Sequence, residues 1–562
     1  MNPLTNLGGR VLRDIEGRIM DRVLGLPPVL TRDVKVTKGI RVAMPDGIEL
    51  LADLYQPNVP NAPTVMSRTP YARVGLASRA TAMPFAQRGF NVLIQSVRGT
   101  HGGSGGEFDP LAGEEKDALA TLAWIEEQPW YNGQLFLFGP SYVGYTQFAL
   151  AVGAGDRVAG LLPTVTSSSL SEVIGPGGTV FTGLVLQWIR RMALLERSAA
   201  LADLIEFLGD RRTRRAQWHL PLGTSDLVNT GRAVGFYRTW LEVGFDRKHP
   251  YWNGIRECRD RIGGITAPTH LLGGWQDLAL PSQLTDYHTM RAAGRDPLLT
   301  IGPWTHVDTA MMGAAITEAV EWFRAVAENP AGQRARRAKL YIQGADEWRT
   351  YDVYPPAESE ARQWFLHPSG GFSPVRPDAG EPRVFRYDPA DPTPDIGGAA
   401  IDTRDAGRRD QTDREARADV LVYTSAALEG PLELIGPVTS RVVLRTSSPH
   451  ADLFIRLCDV DPQGRSTNVC DGIQRTTPDT HPADANGLRT AEVTLWPTAY
   501  RFKPGHRLRI QVCGGSFPRF ARNTGSGEPL ATATTLVPVD FEIHPGSGLT
   551  LPVMRANPDT AH

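Results

Sequence analysis

Short apolar runs alternate with helical stretches through the first part of the chain. Residues 34–55 alternate in polarity around Asp46-Gly47, a turn dipeptide that predicts a β-hairpin. Four further apolar runs lie at 64–66, 90–95, 135–138 and 159–163. Because helical stretches such as 114–128 separate these runs, the pattern predicts antiparallel strands first and then a mostly parallel sheet with crossover helices.

The strand pattern stops at about residue 168 and returns after residue 258. Between these positions the stretches 184–195, 199–208 and 232–243 have helical periodicity, which predicts an inserted α-helical cap and a candidate lid. Apolar runs at 269–272 and 298–301 then complete the interrupted sheet.

Beyond about residue 361 the hydrophobic period changes to two. Leu508, Ile510 and Val512 alternate with polar neighbours, and so do Phe541 and Ile543. Turns rich in glycine and proline separate further short apolar runs, a pattern typical of a β-sandwich. The sequence therefore divides into an α/β domain in two parts, 1–167 and 259–360, a helical cap at 168–258, and a β-sandwich at 361–562.

Composition excludes several classes of function. With 59 basic and 61 acidic residues in a chain of 562, no strong field would attract nucleic acid. Four scattered cysteines argue against a zinc ribbon or a disulfide scaffold and favour a reducing compartment. The charged N-terminus lacks a signal-peptide core, and no apolar stretch reaches the ~18 residues of a membrane span.

From these properties we expect a cytoplasmic protein without a metal, a cofactor or a membrane span. Its expected partner is a small molecule rather than a nucleic acid. The sequence leaves the oligomeric state open, a homo-oligomer included.

Ser141 lies where a predicted strand meets a predicted helix. The dipeptide Gly139-Pro140 precedes it, and small, helix-compatible residues follow. A serine on such a turn exposes its Oγ near the first amides of a helix, as a nucleophile requires. Val143 stands where the common motif has its second glycine, which comes one residue later as Gly144. A plain loop or a helix cap is the alternative interpretation of a serine between glycines.

A nucleophilic serine needs a base and an orienting carboxylate, and the α/β-hydrolase fold supplies them in the chain order Ser, Asp or Glu, His. Asp277 follows the run 269–272 and His306 follows the run 298–301, so both are expected at strand ends. Singly, Asp277 could cap a helix and His306 could serve packing. Their order and placement together favour catalysis. Asp286 is a rival carboxylate, but its helical setting predicts a solvated position.

Several motifs resemble those of the bacterial cocaine esterase and X-Pro dipeptidyl-peptidase family of serine hydrolases. They lie at 139–144, 274–277 and 302–306, with further similar segments at 68–71, 98–99, 104–108 and 344–349. The resemblance runs from about residue 34 to the C-terminus. It implies an α/β-hydrolase fold with an inserted helical cap, followed by an all-β jelly-roll domain.

By these motifs the resemblance implies that Ser141 is the nucleophile, His306 the general base and then acid, and Asp277 the carboxylate that orients it. The Tyr71 hydroxyl and the Tyr142 backbone N–H would form the oxyanion hole. A phenol of pKa about 10 stays protonated at neutral pH and can donate to a developing oxyanion.

The expected function is hydrolysis of a carboxylic ester, or an amide, through an acyl-enzyme. Two alternatives stay open. One is an X-Pro dipeptidyl peptidase, for which the sequence offers no identifiable acidic cluster to bind a free α-amino group. The other is a carbohydrate- or ligand-binding protein with an inactive hydrolase scaffold.

Overall fold

The computed structural model describes residues 21–100, 105–329, 337–402 and 404–555. Ten strands form the first sheet: β1 (Val34–Ala43), β2 (Glu49–Pro57), β3 (Thr64–Thr69), β4 (Asn91–Ser96), β5 (Leu135–Pro140), β6 (Gly160–Thr164), β7 (His270–Gln276), β8 (Leu298–Thr305), β9 (Ala338–Ile342) and β10 (Glu347–Tyr351). Their order in the sheet is β1-β2-β4-β3-β5-β6-β7-β8-β9-β10.

The inner strand pairs of this sheet, from β4 to β9, are parallel, and the outer pairs are antiparallel. The predicted hairpin is confirmed, because β1 and β2 pair with Val42 opposite Leu50 around the Asp46-Gly47 turn. The mostly parallel sheet is confirmed as well.

Helices connect these strands and continue beyond them: α1 (Leu76–Gln87), α2 (Glu114–Glu126), α3 (Tyr142–Ala154), α4 (Leu170–Ile174), α5 (Thr182–Leu195), α6 (Ala199–Leu208), α7 (Arg211–Trp218), α8 (Ser225–Thr230), α9 (Gly235–Val243), α10 (Leu280–Ala292), α11 (Thr309–Glu328) and α12 (Thr412–Glu415). Short 3₁₀ turns lie at Pro176–Gly178, Leu222–Thr224 and Arg259–Gly264. On one face of the sheet, Phe85 of α1 and Phe323 of α11 pack against Phe136 and Phe138 of β5. The sheet is thus covered by helices, as a parallel sheet requires.

Helices α4 to α9 lie between β6 and β7 in the chain, where the sequence predicts an insertion. The cap contains a row of buried and half-buried aromatic rings. Trp188 of α5 stacks on Trp240 of α9 with the ring planes 16° apart, and Trp240 also contacts Trp252. The aromatic rings of the cap therefore belong to the same hydrophobic core as the first sheet.

Thirteen strands of the described chain follow residue 358: β11 (Ser359–Leu366), β12 (Phe372–Ser373), β13 (Arg383–Tyr387), β14 (Val420–Thr424), β15 (Leu432–Gly436), β16 (Thr439–Thr446), β17 (Ala451–Val460), β18 (Ser466–Thr476), β19 (Arg489–Thr494), β20 (Thr498–Phe502), β21 (Arg507–Cys513), β22 (Val539–Ile543) and β23 (Gly548–Met554). They form a nine-stranded and a four-stranded sheet.

The pairings within these two sheets are antiparallel. Phe541 of β22 alternates with exposed neighbours and stacks on Phe385 of β13, with ring centroids 4.5 Å apart. Buried residues of both sheets belong to one hydrophobic core. The period-two pattern of the sequence is therefore confirmed as half-buried antiparallel sheet.

The carboxyl ends of three parallel strands lie at one edge of the first sheet. Strand β5 ends at Pro140, β7 at Gln276 and β8 at Thr305. In β7 and β8, Gly274 lies opposite Gly302, and the register shifts before Gln276 pairs with Thr305. The residues that follow β5, β7 and β8 therefore emerge side by side at the carboxyl edge, where ligands bind in open α/β sheets.

Candidate active site

Ser141 occupies a strained turn between β5 and α3. Its φ of 56° and ψ of −128° lie outside the usual regions for a residue with a side chain. Gly139 has a φ of 149°, and a Cβ there would lie 2.1 Å from Val143 Cγ1. A Cβ on Gly144 would lie 2.3 Å from Thr166 Cγ2. The glycine therefore comes late in this motif because residue 144, not 143, faces the neighbouring loop.

The structure brings the three predicted catalytic residues together. His306 Nε2 lies 3.0 Å from Ser141 Oγ, and His306 Nδ1 lies 2.6 Å from Asp277 Oδ2. Asp277 is fully buried, and its other oxygen accepts the Ala279 backbone N–H at 2.8 Å. A carboxylate held in this way fixes the imidazole with Nδ1 protonated and Nε2 directed at the serine hydroxyl.

Tyr71 and the Tyr142 amide both lie beside Ser141. Tyr71 follows β3 and lines the same cavity as Ser141 and His306, and its hydroxyl oxygen accepts the Trp188 indole N–H at 3.2 Å. Tyr142 is the first residue of α3, and the first amides of a helix have no partner within the helix. Both groups thus lie near Ser141, as the sequence predicts.

A buried network behind Tyr142 was not anticipated from the sequence. The Tyr142 hydroxyl donates to Glu114 Oε1 at 2.8 Å, and Arg68 donates to Glu114 Oε2 at 2.8 Å. Burial and the Glu114 charge raise the pKa of Tyr142 well above its usual value, so the phenol keeps its proton. Glu114 begins a helix, where an acidic residue is common, and nothing in the pattern marked it as part of the site.

The expectation for Asp286 is wrong. Its carboxylate is fully buried rather than solvated, and it accepts Arg259 Nε at 2.7 Å and the Ser168 backbone N–H at 2.8 Å. Burial raises the pKa of Asp286, while the Arg259 charge opposes the rise. Helical periodicity could not reveal the arginine because Arg259 lies on the 3₁₀ turn outside α10. Asp286 joins α10 to the loop after β6 and does not contact His306.

A cavity opens beside Ser141, with about 560 Å³ of empty space when the part open to solvent is included. Cap residues supply much of its apolar lining: Leu170, Val173, Leu184, Val185, Trp188 and Trp240. Among the described residues that line it there is no Asp, Glu, Lys or Arg. The cavity therefore suits an uncharged, apolar group.

The described part of the chain contains no group of three or more His, Cys, Asp or Glu arranged to hold a metal ion. All four cysteines are buried and unpaired, and burial raises the pKa of Cys258 to about 12. No helix within the described ranges is long and apolar enough to cross a bilayer. The basic residues 211, 212, 214 and 215 are exposed.

Comparison with known proteins identifies two family models. X-Pro dipeptidyl-peptidase (S15 family) matches residues 46–308, and the X-Pro dipeptidyl-peptidase C-terminal non-catalytic domain matches residues 329–549. Cocaine esterase of Rhodococcus sp. (strain MB1 Bresler) is 29% identical over 576 aligned positions, covering 92% of this chain and 99% of that protein.

Solved structures share the fold. An α-amino acid ester hydrolase superposes with a TM-score of 0.78 at 20% identity, covering 94% of this chain and 98% of the other. An aminopeptidase of a marine sediment archaeon, Thaumarchaeota archaeon, superposes with a TM-score of 0.75 at 18% identity, covering 94% and 99%. Residues 46–308 therefore match the X-Pro dipeptidyl-peptidase (S15) family, residues 329–549 match its C-terminal non-catalytic domain, and the chain is a hydrolase similar to cocaine esterase.

Proposed function

We propose that this hydrolase cleaves carboxylic esters with an apolar acyl or alcohol group, through an acyl-enzyme on Ser141. The observation that carries the proposal is the hydrogen-bonded chain from Ser141 Oγ through His306 to Asp277, with links of 3.0 and 2.6 Å, at the mouth of an apolar cavity. Such a chain activates a serine hydroxyl in unrelated hydrolases.

In the first step Ser141 Oγ attacks the ester carbonyl carbon while its proton passes to His306 Nε2. The tetrahedral intermediate collapses as the C–O bond to the alcohol breaks, and His306 returns the proton to the leaving oxygen. A water molecule then repeats the sequence on the acyl-enzyme, with His306 as base and then acid. Asp277 keeps the imidazole oriented and stabilises its protonated form throughout.

The carbonyl oxygen becomes negative in both tetrahedral intermediates. Tyr71 would donate its hydroxyl proton to this oxygen, alongside the Tyr142 backbone N–H at the start of α3. The Trp188 N–H that reaches the Tyr71 oxygen polarises the phenol, which strengthens its own donation. In this proposal the two donors act as a preorganised oxyanion hole.

The cavity lining favours esters over Xaa-Pro dipeptides. A dipeptidyl peptidase must bind the protonated α-amino group of its substrate, and a buried ammonium needs a carboxylate partner. The described lining offers none, whereas the rings of Trp188 and Trp240 suit an aliphatic or aromatic group. Apolar aryl or alkyl esters are therefore the proposed substrate class.

The experiment compares aryl butyrate esters with an Xaa-Pro anilide, together with labelling by a fluorophosphonate. We expect ester turnover and labelling in the wild type and in Ser369→Ala, an exposed control serine, and neither in Ser141→Ala. Exclusive cleavage of the anilide would instead establish the dipeptidyl peptidase. A folded wild type without label or turnover would establish the binding-protein alternative.

We also propose that the protein works in the cytoplasm. Four buried, unpaired cysteines support a reducing compartment. Fractionation of the source cells with an antibody tests this assignment, and recovery of the protein outside the cytoplasm would contradict it.

A further inference from the structure

The C-terminal β-sandwich reaches the loop that carries the catalytic aspartate. Trp496 follows β19 and is buried at 6% exposure. Its indole Nε1–H donates to the backbone carbonyl of Asp277 at 2.8 Å. The two residues are 219 positions apart in the chain and follow strands of different sheets.

Trp496 is itself held firmly within the sandwich. Its backbone N–H donates to the Asp471 carbonyl at 2.7 Å. The Asp471 carboxylate lies between two buried guanidinium groups, with Arg456 Nη2 at 2.9 Å and Arg519 also bonded to it. The Arg519 guanidinium lies 5.6 Å from the centre of the Trp496 ring. The indole is therefore a rigid donor, because burial and ion pairing leave these groups little room to move.

A second hydrogen bond ties the same loop to the sandwich. Gln276, the last residue of β7, donates its side-chain amide to the Val469 carbonyl of β18 at 3.0 Å. The two ties flank the peptide that presents the Asp277 carboxylate to His306. A displacement of this peptide would lengthen the 2.6 Å link from Asp277 Oδ2 to His306 Nδ1.

We infer that Trp496 is a positioning residue for catalysis, because it fixes the Asp277 backbone and through it the orientation of His306. The inference rests on the function proposed above. It gives the family's C-terminal non-catalytic domain a defined part in the reaction, which is to hold the carboxylate of the catalytic triad in place.

The test is Trp496→Phe, which keeps an aromatic ring and removes the N–H. Small misplacements of catalytic groups lower rates by up to about a hundredfold. We expect kcat for an aryl ester to fall by about tenfold or more, with KM within about twofold, because the cavity lining is unchanged.

Tyr500→Phe is the matched control. Tyr500 is a buried ring of the same sandwich, and the substitution removes its hydroxyl, which donates to Asp459 at 2.8 Å without contacting Asp277. We expect it to lower the thermal stability while kcat stays close to that of the wild type. Equal kcat values for Trp496→Phe and the wild type would overturn the inference.

A readout independent of turnover is the proton resonance of the short His306–Asp277 hydrogen bond, which lies downfield of the amide region. We expect Trp496→Phe to shift or broaden this resonance, and Tyr500→Phe to leave it in place. Should Trp496→Phe not fold, Gln276→Met removes the second tie with little change in volume, and we expect it to shift or broaden the resonance relative to the wild type. An unchanged resonance in that folded variant would also refute the inference.

The proposed function and the inference fail in different ways. An inactive, unlabelled wild type contradicts the proposed function. An active wild type whose resonance and kcat survive Trp496→Phe contradicts only the role of Trp496.

Discussion

Replacement of Tyr71 by phenylalanine isolates one donor of the proposed oxyanion hole. The substitution removes only the hydroxyl, so the ring continues to line the cavity beside Ser141 and His306. The Tyr142 amide remains as the second donor, because it belongs to the backbone at the start of α3. A loss of rate larger than that caused by losing the Trp188 hydrogen bond therefore reports on the phenol proton.

The expected magnitude follows from the loss of a preorganised donor. Removal of one such group raises the barrier by about 3 to 4 kcal/mol, so kcat should fall about 100-fold to 1000-fold while KM changes little. The substitution also leaves the Trp188 N–H without its acceptor at 3.2 Å. Loss of that hydrogen bond should lower the free energy of unfolding by about 1 kcal/mol.

Tyr251→Phe provides the control for the stability effect. The Tyr251 oxygen accepts the Trp240 indole N–H at 3.1 Å, so it forms the same kind of bond without lining the cavity. Steady-state turnover of an aryl butyrate and urea unfolding would be measured for both variants. We expect similar losses of stability but a large loss of kcat in Tyr71→Phe alone. Equal kcat values in the two variants would refute the oxyanion role of Tyr71.

Two further predictions concern the elbow and the sheet. Gly144→Ala places a Cβ 2.3 Å from Thr166 Cγ2, so we expect about 1 to 3 kcal/mol of destabilisation and at least a tenfold lower kcat by the same assays. Adding Thr166→Ser, which removes the methyl group, should recover part of both losses, and no recovery would contradict the steric cause. For Glu318, burial opposes ionisation, but His270 and Lys339 outweigh it and lower its pKa to about 2, below the unfolded value of about 4.5. This carboxylate therefore stabilises the fold by up to about 3 kcal/mol above about pH 4.5, and it loses that contribution as the pH falls towards 2. Urea unfolding should show the stability of Glu318→Gln approaching that of the wild type on acidification. A stability difference that grows on acidification would refute the reasoning.

The three residues of the candidate triad could be predicted from the sequence because their positions depend on local order. Ser141, Asp277 and His306 each follow a recognisable apolar run, and parallel strands deliver their carboxyl ends to one edge. The late glycine of the elbow was visible in the sequence as well. The reason for the late position of this glycine could not be inferred from the sequence, because residue 144 contacts Thr166 on another loop.

Buried polar contacts between distant segments could not be predicted from the sequence pattern. Asp286 looks solvated on its helix, yet Arg259 covers it from a separate turn. Glu114 looks like an ordinary helix-terminal acid, yet it binds the Tyr142 hydroxyl. Periodicity shows which side of an element is apolar, but it does not show which partner a buried polar group meets.

The sequence by itself determined the order of the elements, the two kinds of sheet and the residues at the strand ends, since these follow from spacing along the chain. Only the tertiary structure decided how the cap closes an uncharged cavity over Ser141 and how Trp496 reaches the Asp277 carbonyl. Such contacts join groups that are far apart in the chain. They form only in the packed protein, because a donor that is buried away from water must bond to an acceptor within the protein.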